Sequence, residues 1–220
     1  MQKVIALDGP SASGKGTIAA HVAAALGWAY LDSGALYRLT ALYAEQNQTA
    51  WADEAAVAQL AAELPAEFRG QTVWLDGQDV TQAIRSEHIG MGASAVAKLP
   101  AVRQALLQRQ RNFLTAQGLV ADGRDMGSTV FPEAQLKIFL TASAQIRAER
   151  RAKQIGVPLD GAAFAQILAD IQARDAADRS RPVAPLQQLP DAKLLDTSHR
   201  SIEETVQQVL DWYHASPKAA

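Results

Sequence analysis

The chain has 220 residues, 48% of them hydrophobic, enough to bury a substantial core as one α/β domain carrying insertions. A formal charge of −2 with no basic tail excludes a coat that binds nucleic acid by neutralising many phosphates, and the absence of cysteine excludes a disulfide framework and a thiolate metal site. The first residues enter a strand pattern at once and no apolar run is long enough to span a bilayer, so the expectation is a cytoplasmic protein with neither membrane nor nucleic-acid partners.

An apolar run at residues 4–7 leads into GPSASGKGT at residues 9–17, and Ile18, Val22 and Leu26 then share one helical face. Strand, glycine loop and helix together fit G-x-x-x-x-G-K through Gly9, Gly14 and Lys15, with Pro10, Ser11, Ala12 and Ser13 between the glycines. In that loop the backbone N–H groups wrap a polyphosphate, the lysine ammonium reaches its outer phosphates, and the helix supplies unpaired amides and the positive end of its dipole. One position departs from the pattern. Where Ser or Thr ordinarily ligates Mg²⁺ stands Gly16, with Thr17 one place later, so the metal is expected to rest mainly on phosphates and water. The bland alternative is a glycine turn capping a helix, with Lys15 in solvent.

Further strand patterns follow at residues 29–31, 119–121, 138–140 and 194–195, each ending at a polar residue, as in a parallel sheet that delivers functional groups at its carboxyl edge. Helical patterns between them place helices on both faces of a doubly wound α/β sheet. Between the second and third of these strands lies a stretch too long for a simple crossover. It reads as helices at 36–44 and 55–64, a hairpin at 72–80 turning at Asp76-Gly77, and helices at 81–97 and 100–117. Residues 144–155 are helical, 156–161 form a break, and Phe164, Ile167, Leu168 and Ile171 mark another helix. Ser201 and Glu204 make a capping box before a closing amphipathic helix, and the tail from Ser216 is expected to fray.

Arg147, Arg150 and Arg151 share one helical face, and Arg174, Asp178 and Arg181 share another beyond the 156–161 break. Closing that segment would carry arginines toward the contents of the glycine loop, where they stabilise a transferring phosphoryl group. The alternative is a solvated face with weak ion pairs. Asp32-Ser33 opens a helix carrying Tyr37 and Arg38, and Asp122-Gly123-Arg124-Asp125 leaves the third strand; both arrive on the loop side, where Arg38 and Arg124 can hold a second phosphate. The structural alternative has Asp32 and Ser33 as caps and Arg124 paired with Asp125.

The motifs GPSASGKGT, DSGALYR, WLDGQDV with Ile84-Arg85, PAVRQALLQRQR, ADGRDMG and RDAADRSRPVAPL occur in this order, and together they resemble the bacterial cytidylate kinases over residues 6–186. Beyond Leu186 the likeness is loose, and Ala176 and Ala177 stand where members often carry charge. The resemblance implies the nucleoside monophosphate kinase fold: a P-loop NTPase with a five-stranded parallel core (1–36, 118–145, 172–220), a monophosphate-binding insertion at about 37–117, and a short lid at about 146–171.

It further implies transfer of the γ-phosphoryl group of ATP to CMP or dCMP with Mg²⁺. Residues 9–17 would bind ATP; Lys15, Arg124, Arg150 and Arg181 would act in catalysis. The acceptor would meet Ser33, Tyr37, Arg38, Ser94, Arg103, Arg124, Asp125, Arg174, Asp178 and Arg181. Thr17 or Asp122 would reach the metal through water, Asp122 serving equally well as a turn cap. An acceptor phosphate is already largely ionised near neutrality, its second pKa being about 6, so no general base is needed. A monomer is expected. The competing readings are a small-metabolite P-loop kinase, which has no use for so large an insertion, and a nucleotide-dependent switch, whose N-K-x-D and D-x-x-G motifs are not found.

Overall fold

The computed structural model describes residues 2–69 and 72–216. In chain order the elements are β1 (Gln2–Asp8), α1 (Lys15–Leu26), β2 (Ala29–Asp32), α2 (Ser33–Gln46), α3 (Glu54–Ala62), β3 (Ala66–Arg69), β4 (Thr72–Leu75) and β5 (Gln78–Asp79). There follow α4 (Glu87–Val96), α5 (Pro100–Arg111), β6 (Leu119–Gly123), β7 (Ala134–Thr141), α6 (Ala144–Ile155), α7 (Gly161–Arg179), β8 (Lys193–Asp196) and α8 (Ile202–Ala215). The chain forms two compact units, one of Met1–Leu31 with Phe113–Ala220 and one of Asp32–Asn112. The second unit begins and ends five residues ahead of the 37–117 insertion expected from sequence. Of the expected frayed tail, residues 217–220 lie outside the described residues.

The first unit is built on a five-stranded parallel sheet in the order β2-β6-β1-β7-β8. Val4, Ile5, Ala6 and Leu7 are fully buried, as a central strand covered on both faces must be. Ile18 and Val22 of α1 and Val209 of α8 pack with Ile5, Leu7, Val120 and Ile138, and Trp28 meets Tyr213 edge-on at 5.0 Å between centroids. The capping box at Ser201 and Glu204 is formed: Glu204 N–H donates to Ser201 Oγ and Ser201 N–H to Glu204 Oε2. Every strand of this sheet ends beside a polar or glycine residue, Asp8, Asp32, Gly123, Thr141 and Asp196, which sets functional groups along one edge.

The second unit pairs α2 with α4 and α3 with α5, and adds an antiparallel sheet β3-β4-β5. The expected hairpin is β4 and β5 about Asp76-Gly77, both with positive φ. Strand β3 was not foreseen; it adds across Thr72–Leu75, and Arg109 of α5 fastens its start by donating to the carbonyls of Leu64 (2.6 Å) and Ala66 (2.8 Å). Two helix expectations need correcting. The helix expected at 81–97 is a 3₁₀ turn (Ala83–Arg85) and then α4, divided where the Ser86 hydroxyl accepts from Ile89 N–H as an N-cap. The helix expected to reach residue 117 ends at Arg111.

Candidate active site at the glycine loop

The loop after β1 turns on Gly9, whose φ of +154° places its Cα so close to the neighbouring strand that a Cβ would lie 1.9 Å from the Leu140 carbonyl oxygen. Only glycine passes there. Gly14 caps α1, and Lys15 is its first residue, 5% exposed, with Nζ donating to the Pro10 carbonyl at 2.8 Å and to Ser13 Oγ at 3.5 Å. Lysine so enclosed is costly to keep charged: burial, and then the nearby Arg124 guanidinium, bring its pKa down to about 7 against the pull of Asp122, Asp8 and Asp178. The solvated lysine of the bland reading is not what the loop contains.

Gly16 has a local cause. A side chain there would enter space already filled, its Cβ 3.3 Å from the Tyr30 hydroxyl and 3.4 Å from Asp122 Oδ2. Tyr30 donates to that same carboxylate oxygen at 2.7 Å, so a carboxylate held from the β2–β6 side stands beside Gly16. Thr17 is exposed, and its carbonyl accepts from His21 Nδ1.

The arginines of α6 serve the back of the loop. Arg147, 3% exposed, makes a two-pronged ion pair with Asp175 of α7 and also donates to the carbonyls of Ala142 and Ser11. Arg150 donates to the Ser13 carbonyl at 3.3 Å and to both the hydroxyl and the carbonyl of Thr197. Thr197, buried beyond the end of β8, in turn donates toward Ser13 and Thr141 carbonyls. Arg151 is partly exposed and meets Gln154. The shared arginine face is thus not a solvated stripe, because two of its three members are spent on loop carbonyls. Ala148, Ala152, Phe164 and Ile171 close an apolar seam between α6 and α7.

Arg124 does not pair with Asp125. Its Nε donates to Asp178 Oδ2 at 2.8 Å, and Arg181 reaches Asp178 Oδ1 at 3.0 Å, so one carboxylate on α7 gathers two guanidinium groups. Burial pushes the Asp178 carboxyl up, but Arg124 and Arg181 together outweigh it and hold it below the usual carboxylate range. Arg174 adds to that field from one turn earlier. Asp125, 3% exposed, precedes a single π-helical turn, Met126–Val130.

In the second unit, Asp32 caps α2 by accepting from Ala35 N–H, and Ser33 is buried in its first turn. Arg38 donates to the Ile84 carbonyl at 2.9 Å and lies against Gly90, where a Cβ would be 3.3 Å from Nη1. Ser94 Oγ returns a hydrogen bond to the Gly90 carbonyl, one turn back on α4. The Arg103 guanidinium sits 5.7 Å from the Tyr37 ring centroid and donates to Ala97 O. Ser94 and Arg38 thus meet at Gly90, and Arg103 meets Tyr37.

The family model for cytidylate kinase matches residues 5–215. The chain is 69% identical to the cytidylate kinase of Neisseria meningitidis serogroup B over 212 residues, covering 96% of this chain and 97% of that one. It is 68% identical to that of Neisseria gonorrhoeae over the same shares, and 61% identical to that of Chromobacterium violaceum over 96% and 95%. The chain belongs to the cytidylate kinase family.

In this cytidylate kinase family member, three residues next to the glycine loop were missed by motif reading. Tyr30 sits in an apolar strand run, Asp8 reads as a strand terminus, and Thr197 as part of a polar loop. The signal for Asp8 was present, a carboxylate immediately before the glycine loop at the edge of a buried strand, but its partners lie 118 and 119 residues away. Among the described residues no cluster of three or more acidic, histidine or cysteine side chains is arranged to hold a metal.

Proposed function

We propose that the chain transfers the γ-phosphoryl group of ATP to CMP or dCMP, giving ADP and CDP or dCDP. The observation that carries this reading is the proximity of two cationic centres in one unit: Lys15 in the glycine loop, and Arg124 on Asp178, close enough that the guanidinium depresses the lysine's pKa. An Arg124 guanidinium held by Asp178 and a Lys15 ammonium in the field of Asp122, Asp8 and Asp178 suit two phosphate chains placed end to end.

In this reading residues 9–17 bind ATP, with Lys15 on its outer phosphates. Arg124 and Arg181 hold the acceptor phosphate, Asp178 and Arg174 face its sugar, and Arg38, Ser33 and Tyr37 also belong to the acceptor set. Asp125 accepts from the cytosine amine. Ser94 and Arg103 donate to the base's oxygen and ring nitrogen. Arg150, which grips the Ser13 carbonyl, contributes by fixing the loop, and residues 146–171 form the lid. The acceptor oxygen carries its own negative charge, so the protein supplies alignment and charge stabilisation rather than a base.

Mg²⁺ fits the donor set as an ion carried by the nucleotide. Gly16 offers no hydroxyl, and the Asp122 carboxylate beside it, steadied by Tyr30, is the group that would hold a metal-bound water. When bound, the ion neutralises phosphate charge. In this reading the donor and acceptor pattern of these side chains favours cytosine over uracil by about 1–3 kcal/mol per bidentate contact. We take the protein to act on small molecules in the cytoplasm, as a monomer. A coupled assay of ADP release tests the reading: with ATP, CMP and dCMP turn over, UMP is poorer by about tenfold or more, and AMP is inert. Preference for AMP or for a non-nucleotide acceptor would overturn it.

A further inference from the structure

Asp8 ends β1 one residue before the glycine loop and is buried, yet its carboxylate makes no hydrogen bond to that loop. Its Oδ1 accepts from Met126 N–H and its Oδ2 from Gly127 N–H, both at 2.8 Å. These amides belong to the two residues that follow Arg124 and Asp125. On the other side, the Asp125 carbonyl accepts from Thr129 N–H at 2.9 Å and Val130 N–H at 3.2 Å. The backbone leaving Asp125 is therefore pinned at both ends, and one of the pins comes from the root of the donor loop.

Aspartate suits this position chemically. It is short, presents two acceptors and carries no donor, so it can take two neighbouring backbone N–H groups at once. Asparagine would turn its NH₂ toward one of them and leave that amide facing another donor. The Asp8 backbone meanwhile stays in register with Gly123 of β6 and Phe139 of β7, so a side-chain change leaves the strand, and the glycine loop that grows from it, in place.

We propose that Asp8 is a positioning residue for the acceptor nucleotide: it fixes the Arg124–Asp125 turn against the base of the glycine loop, so that recognition of the monophosphate depends on it more than binding of the donor does. This rests on the reading that Arg124 and Asp125 hold CMP. Burial raises the Asp8 pKa to about 6 even with both amides bonded, so the clamp loosens within an accessible pH range. The charged groups facing it are Lys15 from α1 and Asp125 beyond β6; Lys137 of β7 passes Gly127, with its ammonium drawn off to Asp191 at 2.8 Å.

The experiment compares steady-state kinetics of the full chain with Asp8→Asn and Asp125→Ala. Asp8→Asn is expected to raise KM for CMP about tenfold while KM for ATP changes less than about threefold, a split that general loss of structure would not produce. Equal rises for both substrates, or a rise for ATP alone, overturn the proposal. If Asp125→Ala leaves KM for CMP unchanged, the assignment of the acceptor site itself fails; if Asp125→Ala damages CMP use and Asp8→Asn spares it, only the role of Asp8 fails.

Should Asp8→Asn not fold, the wild type supplies the test by titration of cytidine binding, since cytidine has no phosphate of its own to titrate. The Asp8 carboxyl-carbon resonance and the Met126 and Gly127 amide resonances are followed in the same samples. Cytidine affinity is expected to fall as pH drops through the Asp8 midpoint, in step with those amides. Amide shifts with unchanged cytidine affinity overturn the proposal.

Discussion

The Tyr30 hydroxyl donates to Asp122 Oδ2 at 2.7 Å, and both atoms stand within 3.4 Å of where a Cβ on Gly16 would be. Restoring the usual hydroxyl at that position is therefore expected to harm this enzyme. Gly16→Ser requires its neighbours to give by a few tenths of an ångström, and kcat should fall about tenfold. In a Tyr30→Phe background the crowding is relieved and the same change should cost less. Tyr30→Phe alone should lower stability by about 1 kcal/mol in urea denaturation. Activity of Gly16→Ser at or above wild type would contradict the arrangement.

Lys15 is expected to oppose stability while serving activity. Its pKa is raised in the unfolded chain, near 10.5, relative to about 7 in the fold, so between those values the unfolded chain holds a proton that the folded chain has released. Stability of the nucleotide-free wild type should accordingly rise with pH through that window, with the full burden of the buried charge present below 7. Lys15→Met lacks this slope. It should be the more stable protein at pH 6, with the difference shrinking toward pH 10, while kcat/KM falls by about 10² to 10³. Urea titrations across pH read the first effect and the coupled assay the second.

The buried pair Arg147–Asp175, at 3% and 6% exposure, joins α6 to α7 and both to the Ser11 carbonyl. Removing either partner strands a charge in the interior. Arg147→Met or Asp175→Leu should each cost about 3–5 kcal/mol, and the double change Arg147→Met/Asp175→Leu should cost less than the sum. Additive losses in a double-mutant cycle would show the two act independently.

Ala12, in the glycine loop, has φ of +56°. An L side chain in the left-handed region is strained by about 1–2 kcal/mol, whereas glycine tolerates it at some cost in unfolded-state entropy. Ala12→Gly should therefore raise stability by up to about 1 kcal/mol, seen as a higher denaturation midpoint with an unchanged slope.

The five strands of the main sheet, the glycine loop and the capping box could be read from sequence because each is specified locally, by an apolar run, fixed glycines or a side chain bonding three residues away. Asp178 lies on α7 as expected, but Arg181, expected on the same helix face, stands beyond the helix end at Arg179, and the capture of Arg124 by Asp178 spans 54 residues and leaves no local pattern. The same holds for Arg147, whose spacing to Arg150 and Arg151 suggested a shared task, while its partners Ser11 and Asp175 lie far off in the chain. Strand β3 escaped because four residues after Pro65 give too little alternation to register. The overlong α5 came from Phe113 and Leu114, which keep the apolar rhythm beyond the last helical turn. The break before α4 had a visible signal, Ser86 followed by Glu87, which the periodicity of the flanking apolar residues masked.

The order of the main sheet has a bearing on biogenesis. Strand β1 leaves the ribosome long before β6 and β7, the neighbours that flank it and pair with Ile5, Ala6 and Leu7 on either side. A nascent chain must therefore carry this buried strand unsheltered until β6 and β7 have been made, and a stall anywhere in the Asp32–Asn112 stretch would leave that segment open to chaperones and proteases.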